Sequence, residues 1–433
     1  MLALAAPLIL TNLAQHGLAL SDTILLGRLG AESLAAGALA TSLYLVMFIA
    51  CIGLTSAVSP LIADGIGQGL PDAVRRTVRA GVWAAGLVVV PMMVLLWHTQ
   101  TILLALGQEP GVAAQAGAYM RALQWWMIPA LLFMVLRNAL AALERPGWPL
   151  AASLAALPLN LGLGLWFAFP GGLDLGLVGV AWGTTLTEFA VVSALLVVAA
   201  RDPSLRRHRM LSGLWRFDPV RLARVFRLGL PMAATGLAEA GLFEAATVGM
   251  GLFGTVSLAA HAVAIQIAAC CFMVPLGIGQ AATVRVGLAR GGGDRIALRC
   301  AGAVALALGF GFMSLCALMQ VMLPRPLIGL FLDLDAPGNA EVLPIAIGFV
   351  GLAALFAMAD GVQAVALGCL RGLQDTRVPM WIALFGYWGV GVPGGIVLAW
   401  GLGLRGSGIW LGFSAGLLVV AVLLVARWRR LSR

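Results

Sequence analysis

The 433-residue chain is 61% hydrophobic with a mean hydropathy of +1.00, and only 10% of its residues are charged. Such a sequence cannot solvate a globule of this size, which excludes a water-soluble protein and places the chain in a bilayer. The net charge is +9, and all of the 27 basic side chains are arginines, since the sequence has no lysine. A GxxxxGK[ST] phosphate loop, and with it ATP-driven pumping by this chain, is thereby excluded.

Twelve apolar stretches follow one another along the chain, each near the roughly 20 residues that a helix needs to cross a ~30 Å hydrocarbon core. We predict an all-α integral membrane protein with 12 transmembrane helices in two six-helix lobes. The first stretch lacks the basic region and cleavage site of a signal peptide, so we interpret it as a retained span and expect the natural start slightly upstream. The predicted spans are 2–26, 34–62, 80–102, 114–141, 147–169, 176–200, 228–252, 258–284, 298–323, 342–370, 378–400 and 406–426.

The longest polar segment, residues 201–227, divides these spans into two sets of six and carries eight arginines. We interpret it as a cytoplasmic linker that is partly an amphipathic surface helix. The predicted domains are therefore an N-terminal lobe over residues 1–200 and a C-terminal lobe over residues 228–433.

The second half repeats the first in sequence. The segment GRLGAESLAA, which begins at Gly27, returns as GLFGTVSLAA from Gly251, and the same shift relates Gly30 to Gly254. Six spans per half is an even number, so both halves insert with the same orientation, and a pseudo-two-fold axis along the membrane normal relates the two lobes. Paired bundles of this kind are typical of secondary transporters.

Arginine predicts the sidedness of the chain. Of its 27 basic residues, 22 arginines fall on one set of loop ends, and only Arg28, Arg325 and Arg405 fall on the other. By the positive-inside rule the linker and both termini are cytoplasmic, which predicts a multi-pass protein of a bacterial cytoplasmic membrane. This placement makes the positive charge a topological signal, so we expect no nucleic-acid partner.

Five acids lie within the predicted spans, where each ionised side chain costs about 2.5–3.5 kcal/mol. They are Asp22, Glu188, Glu239, Glu244 and Asp360. A carboxylate in a low-dielectric cavity can be neutralised by H⁺, Na⁺ or an organic cation, which gives a coupling mechanism by competition. We expect Asp360 and Glu239 to take part, because no basic residue lies in the middle of a predicted span to pair with them.

Other polar residues share faces with these acids. Gln363 follows Asp360 by one turn, and Gln15 precedes Asp22 by seven residues on one face of the first span. Gln15 is also the repeat partner of Glu239. For Glu188 and Glu244 both a cavity role and a structural role stay open, as they do for Phe272, which either packs in the core or lines the cavity.

Two arginines, Arg121 and Arg137, fall inside the fourth span. We expect them to reach the membrane interface rather than to bind substrate.

The chain resembles the multidrug and toxin extrusion family, particularly its NorM-like branch. The resemblance rests on AAPLILTNLAQ and SDTILLGRLGAESLAA in the first span and its exit, and on GLPMAATGLAEAGLF in the seventh. It also rests on AAHAVAIQIAACCFMVPLGIGQAATVRVG in the eighth span and ADGVQAVALGCLRGLQDTRVPM in the tenth. Similarity to the family covers nearly all of the chain.

This resemblance implies alternating access and export of amphipathic organic cations in antiport with Na⁺ or H⁺, by a protein that is not an enzyme and has no cofactor. By position, Asp22 is the first-lobe acid, and Glu239 and Asp360 form the second-lobe cation site, where Na⁺ could bind. Asn160 corresponds to the family's span-five Asn that lines the first lobe. We expect a monomer.

Phe272 stands where some NorM-like members have Tyr, so the choice between Na⁺ and H⁺ stays open. Two alternatives also stay open. A lipid-linked oligosaccharide flippase has similar paired bundles but needs a basic cavity for pyrophosphate. An integral-membrane lipid-modifying enzyme, which is less favoured, needs clustered acids for Mg²⁺ or a His-rich motif, and the sequence shows neither.

Overall fold

The computed structural model describes residues 1–70, 72–334 and 336–433, and within these ranges it contains helices and no strands. The all-α fold predicted from the hydropathy is confirmed. The α-helices are α1 Leu2–Leu29, α2 Ala31–Ser56, α3 Val58–Gly67, α4 Ala73–Trp97, α5 Thr99–Ala105, α6 Pro110–Leu123, α7 Met127–Ala142, α8 Gly147–Ala168, α9 Gly176–Arg201, α10 Pro203–Arg206, α11 Pro219–Gly251, α12 Thr255–Gly291, α13 Arg295–Met322, α14 Pro324–Gly329, α15 Val342–Gly372, α16 Arg377–Leu384, α17 Val392–Ile396 and α18 Arg405–Leu431.

Eleven helical segments among the described residues are long and apolar enough to cross a membrane. They match eleven of the twelve predicted spans, with α2 and α3, α6 and α7, and α16 with α17 each forming one segment. The remaining predicted span is the last part of α11, a helix of 33 residues. Two acids, Glu239 and Glu244, lower the mean hydropathy of this part of α11. For this reason it is not among the eleven segments that are apolar enough to cross a membrane.

The chain divides into two compact units, residues 10–233 and residues 1–9 together with 234–433. In the first unit, α8 packs along α9 and α4 along α7. Small buried residues allow these helices to approach closely: a Cβ on Gly183 of α9 would lie 2.8 Å from the backbone nitrogen of Gly164 on α8. In membranes, where apolar burial drives little association, such small-residue contacts hold helices together.

In the unit formed by residues 1–9 and 234–433, α15 is the central helix and packs against α12, α13 and α18. Glycine again sets the spacing, since a Cβ on Gly368 of α15 would overlap the carbonyl oxygen of Gly279 on α12. Thr283 of α12 donates a hydrogen bond to the Gly368 carbonyl at 2.9 Å. This packing buries the middle of α15 and with it two polar side chains, Asp360 and Gln363.

The beginnings of α1 and α11 make equivalent contacts at matching positions of the repeat. In one unit, a Cβ on Gly277 of α12 would overlap the Ile9 side chain of α1. In the other, a Cβ on Gly53 of α2 would overlap the Cα of Ala233 on α11. Ile9 and Ala233 are themselves repeat partners, as are Gly53 and Gly277. The repeat seen in the sequence is therefore a repeat of packing as well.

Glycine is required where α1 turns into α2 and where α11 turns into α12. Gly30 and Gly254, another pair of repeat partners, have φ of 120° and 100°, a region that side chains with a Cβ avoid. The repeated Gly-rich segments thus encode a sharp turn between two spans in each half.

The segment predicted as linker is mostly turns, apart from the four-residue helix α10 and the start of α11. The start of α11 has one buried apolar face and one exposed basic face: Leu222 and Val225 are buried against α2 and α4, while Arg224 and Arg227 are exposed. This segment belongs to the unit formed by residues 10–233. The predicted lobe boundaries stay a prediction.

Candidate functional site

Asp22 of α1 lies at the centre of a hydrogen-bonded cluster in the unit formed by residues 10–233. The Thr184 hydroxyl of α9 lies 2.8 Å from both carboxylate oxygens, and the Asn160 amide nitrogen of α8 lies 3.2 Å from Oδ1. Asn160 also donates to the Thr184 oxygen at 3.0 Å, which leaves the hydroxyl proton for Asp22. Because both donors are neutral, they hold the carboxylate in place and leave its charge available.

A second polar contact lies two turns away along the same two helices. Gln15 of α1 donates to the Ser153 hydroxyl of α8 at 3.3 Å. Gln15 precedes Asp22 by seven residues, and Ser153 precedes Asn160 by seven. Helices α1 and α8 therefore present two successive polar pairs along one line of contact, at positions 15 with 153 and 22 with 160.

Glu188 of α9 is only 2% exposed and follows Thr184 by one helical turn, so the two side chains share a face. The Trp126 side chain lies beside the Glu188 carboxyl group. The Trp126 ring packs edge-to-face against Tyr44 at 5.7 Å and in a tilted contact against Phe48 at 4.8 Å between ring centroids. A group of aromatic rings thus adjoins Glu188, the other acid of this unit that falls within a predicted span.

The expectation that Arg137 reaches the membrane interface is wrong. Arg137 of α7 is 6% exposed, and its guanidinium donates to the Asn12 side chain of α1. A buried guanidinium requires such partners, because desolvating it alone is costly. Arg121 is exposed, as expected, and contacts Gly117 and Gln100.

In the unit formed by residues 1–9 and 234–433, the acids predicted for cation binding lie together. Gln363 of α15 donates to the Glu239 carboxylate of α11 at 3.2 Å. Asp360, one turn before Gln363, is 4% exposed and is an electrostatic neighbour of Glu239. No ion pair joins either acid to a basic side chain within the described residues.

Two further groups surround this cluster. Tyr387 is fully buried and lies close enough to Glu239 and Asp360 to interact with their charges. It belongs to a π-helical segment, Phe385–Gly391, and such segments are frequent at functional sites. Arg371, at the end of α15, is an electrostatic neighbour of Glu239 without reaching ion-pair distance.

Two sequence candidates make no hydrogen bond or ring contact with these clusters among the described residues. Glu244 follows Glu239 by five residues on α11, and its side chain is exposed. Phe272 of α12 is half-buried and stacks on no other aromatic ring of the described residues. The structure brings together Asp22 and Asn160 in one cluster, and Glu239, Asp360 and Gln363 in another.

The second cluster offers oxygen ligands of the kind that Na⁺ accepts. Oδ1 of Asp360 and Oε1 of Gln363 are buried and have no hydrogen-bond partner in the described part of the chain. No group of three or more His, Cys, Asp or Glu side chains arranged for a metal ion occurs there. Any cation at this site would therefore bind through carboxylate and amide oxygens.

Sequence reasoning missed four residues that complete these sites: Thr184, Ser153, Trp126 and Tyr387. Thr184 could have been found from its spacing of four residues to Glu188, since two polar residues on one face of an apolar helix mark a polar environment. Ser153 and Trp126 give no comparable signal, because small hydroxyl residues and tryptophans are common in membrane helices.

Comparisons with known proteins agree with this architecture. A family model described as MatE matches residues 7–166 and 231–397. A probable multidrug resistance protein NorM of Brucella suis biovar 1 (strain 1330) is 49% identical over 99% of this chain and 92% of that protein. Another from Mesorhizobium japonicum is 46% identical, over 100% of this chain and 93% of that protein.

Solved structures share the fold. The crystal structure of the eukaryotic MATE transporter AtDTX14 has a TM-score of 0.89 at 23% identity and covers 100% of this chain and 96% of that one. The outward-facing conformation of a multidrug resistance MATE family transporter of the MOP superfamily has a TM-score of 0.88 at 18% identity, covering 100% and 95%. At these identities the structures show the fold alone.

Proposed function

This chain belongs to the MatE family, and we propose that it is a secondary multidrug transporter that exports cationic or amphipathic organic compounds in antiport with Na⁺ or H⁺. The observation that carries the proposal is the pair of acids Glu239 and Asp360. Both lie in one cluster, and neither is neutralised by an ion pair within the described residues.

The chemistry of this cluster supports coupling by competition. A carboxylate held away from water is costly to keep charged, so it takes up a cation readily, whether a proton, Na⁺ or a protonated amine. An entering ion that neutralises the carboxylate removes the attraction for a bound organic cation. A membrane potential supplies about 2.3 kcal/mol per charge per 100 mV, enough to drive such an exchange through alternating access.

Asp22 supplies a second acid in the other unit. Its partners Thr184 and Asn160 are neutral, so its charge is available to a cation or proton in the same way. Trp126, Tyr44 and Phe48 form a half-buried aromatic group beside Glu188, and aromatic rings suit the apolar part of an amphipathic compound. We therefore propose that both units contribute to transport.

The test is transport of a fluorescent organic cation such as ethidium in everted membrane vesicles, with Na⁺ and H⁺ gradients imposed separately. We expect one gradient to drive uptake by the parent and the double variant Asp360→Asn with Glu239→Gln to lose that dependence. Glu341→Gln is the matched control, because it removes an exposed acid at the start of α15, the helix that carries Asp360. Uptake that neither gradient drives, or a double variant as active as the parent, would contradict the proposal.

We further propose that the protein is a monomer in a bacterial cytoplasmic membrane, with both termini in the cytoplasm. The asymmetric distribution of arginine supports this orientation. Fusing green fluorescent protein after Arg433 tests it, since that protein does not fluoresce after export through the general secretory route. A dark fusion at normal membrane levels would contradict the orientation, and a dimeric mass in detergent would contradict the monomer.

A further inference from the structure

An apolar groove of about 1050 Å³ runs along the surface of the unit formed by residues 1–9 and 234–433. One wall is a face of α15 that includes Leu355 and Val362, and the other is a face of α18 that includes Leu418 and Val422. Up to its end, the groove is lined by apolar side chains and by Ser414. The Ser414 hydroxyl donates a hydrogen bond to the Trp410 carbonyl at 2.9 Å.

Three arginines close that end. The α18 residues in the groove follow helical spacing from Leu411 to Val425, about 21 Å at a rise of 1.5 Å per residue. Arg429 and Arg430 follow in the last turn of α18, and Arg433 lies just after its end. The apolar stretch exceeds half of a ~30 Å hydrocarbon core, so it can accommodate an acyl chain of one leaflet. The arginines then stand where the headgroup of that lipid would lie.

These guanidinium groups are not neutralised by the protein. Arg429 and Arg430 are exposed, and no acid of the described residues pairs with either. Their neighbour Arg427 provides a contrast, because its Nε lies 2.9 Å from Oδ2 of Asp375. No acidic side chain of the described residues therefore offsets the positive charge of Arg429 and Arg430 at the end of the groove.

We propose that this groove is a specific binding site for an anionic phospholipid, with an acyl chain between α15 and α18 and the phosphate on Arg429, Arg430 and Arg433. A guanidinium can donate two parallel hydrogen bonds to phosphate oxygens. Basic pockets at the ends of transmembrane helices favour anionic headgroups for this reason. A zwitterionic lipid would bring its own positive charge to the same arginines and bind more weakly.

The other half of the sequence keeps only one of these three arginines. In this part of the repeat Gly179 corresponds to Gly408, and by the same shift Arg430 corresponds to Arg201, whereas Arg429 corresponds to Ala200 and Arg433 to Ser204. The acid beside them, Asp202, accepts hydrogen bonds from the Ser204 backbone at 2.8 Å and from the Trp148 indole at 3.1 Å. The proposal therefore predicts one such lipid per chain rather than two.

The test is native mass spectrometry of the purified full-length chain with added phosphatidylglycerol or phosphatidylcholine of identical acyl chains. We expect one phosphatidylglycerol to be retained about tenfold more strongly than phosphatidylcholine, and the triple variant Arg429→Gln, Arg430→Gln, Arg433→Gln to abolish this preference. The matched control neutralises three exposed arginines of the polar segment, Arg206→Gln, Arg207→Gln and Arg209→Gln, and should retain it.

A second variant tests the apolar part of the site separately. Ala415→Phe places a large side chain in the exposed middle of the groove and should weaken long-chain phosphatidylglycerol while sparing the dihexanoyl form. Both variants must elute as monodisperse protein. Equal retention of the two lipids, the same loss in the control triple, or a second copy of the chain covering the arginines would each overturn the proposal.

Discussion

The two units share a scaffold but place their charges differently. Gly30 and Gly254 make the same turn, and Gly53 and Gly277 make the same helix contact, each pair being repeat partners. At the same shift, however, Asp22 corresponds to Ala246 and Glu239 to Gln15. Duplication explains the packing, whereas the acids are particular to each half. The chemistry of one unit therefore cannot be inferred from the other.

The environments of the two acids also differ. Asp22 accepts hydrogen bonds from Thr184 and Asn160, which fix its orientation. Asp360 has a buried oxygen, Oδ1, without a partner in the described residues. An acid with an unused buried oxygen is the better ion receptor, since an entering cation satisfies it. We expect Asp360 to respond most strongly to the ion gradient.

The largest predicted effects come from substituting the two acids Asp360 and Asp22, and the two variants should differ in stability. Asp360→Asn should lower ion-driven ethidium transport by about tenfold or more, because a hydrogen bond to a charged group is worth about 1.5–3 kcal/mol and 1.4 kcal/mol is tenfold. Its thermal stability in detergent should stay near that of the parent, since no hydrogen-bond donor of the described residues is directed at Oδ1. Transport in vesicles and fluorescence-detected unfolding measure the two quantities.

Asp22→Asn should lose transport and stability together. The new amide group would face the donors of Asn160 and Thr184, and an unsatisfied buried group costs about 1–3 kcal/mol. Exposed Glu109→Gln, which removes an acid at the start of α6, serves as the control for expression and charge. Equal stability of the Asp22 and Asp360 variants would refute the distinction between a fixed acid and an unpartnered one.

The next effect concerns the repeated glycine contact. Gly53→Ala should destabilise the protein by about 1–3 kcal/mol, because the new Cβ would meet the Ala233 backbone. Gly277→Ala should cost less, since only the Ile9 side chain would lie closer than 3.0 Å to the new Cβ, whereas the Ile9 backbone N and Cα would lie at 3.0 and 3.1 Å. Adding Ile9→Ala should rescue Gly277→Ala, whereas Ala233→Gly should fail to rescue Gly53→Ala. Unfolding midpoints in detergent provide the comparison, and equal costs with equal rescue would contradict it.

The helices were largely predictable from hydropathy. The span predicted at 147–169 is α8, Gly147–Ala168, and that at 342–370 is α15, Val342–Gly372. Differences fall at polar ends, as where α11 begins at Pro219 rather than near 228. There the helix continues into the headgroup region, where hydropathy carries no signal but backbone hydrogen bonds still form.

The candidate site was predictable only in part. Hydropathy identified the acids as costly, and the family resemblance linked Asp22 with Asn160. Nothing local relates residue 22 to Thr184, which lies 162 positions away, since such a contact depends on how whole helices pack. The burial of the Arg137 side chain was also not predicted, because its hydrogen-bond partner Asn12 lies 125 residues away in the sequence.

Thr184 provides a smaller and sharper test of the unit that contains Asp22. Thr184→Val keeps the shape of the side chain but removes the hydroxyl that lies 2.8 Å from the carboxylate. We expect the ion concentration for half-maximal transport to change several-fold, since a hydrogen bond to a charged group is worth about 1.5–3 kcal/mol. Thr184→Ser, which restores the hydroxyl, should behave like the parent, and an equal defect in both variants would indicate a packing role.

The smallest predicted effect concerns the polar segment between the halves. Arg76 of α4 lies 2.8 Å from Asp218, and its side chain is 46% exposed, so the pair should contribute at most about 1 kcal/mol. Burial alone would raise the pKa of Asp218, but the Arg221 backbone N–H and the Arg76 guanidinium outweigh it and hold that pKa below its usual value. The pair is therefore stabilising above the ordinary pKa of aspartate and is lost as the pH falls through the depressed value. Asp218→Asn should lower the unfolding midpoint slightly at neutral pH and leave it unchanged in strong acid. Asp72→Asn is the control, because Asp72, which pairs with Arg75, has a side chain that is 62% exposed. This variant should have no effect at either pH.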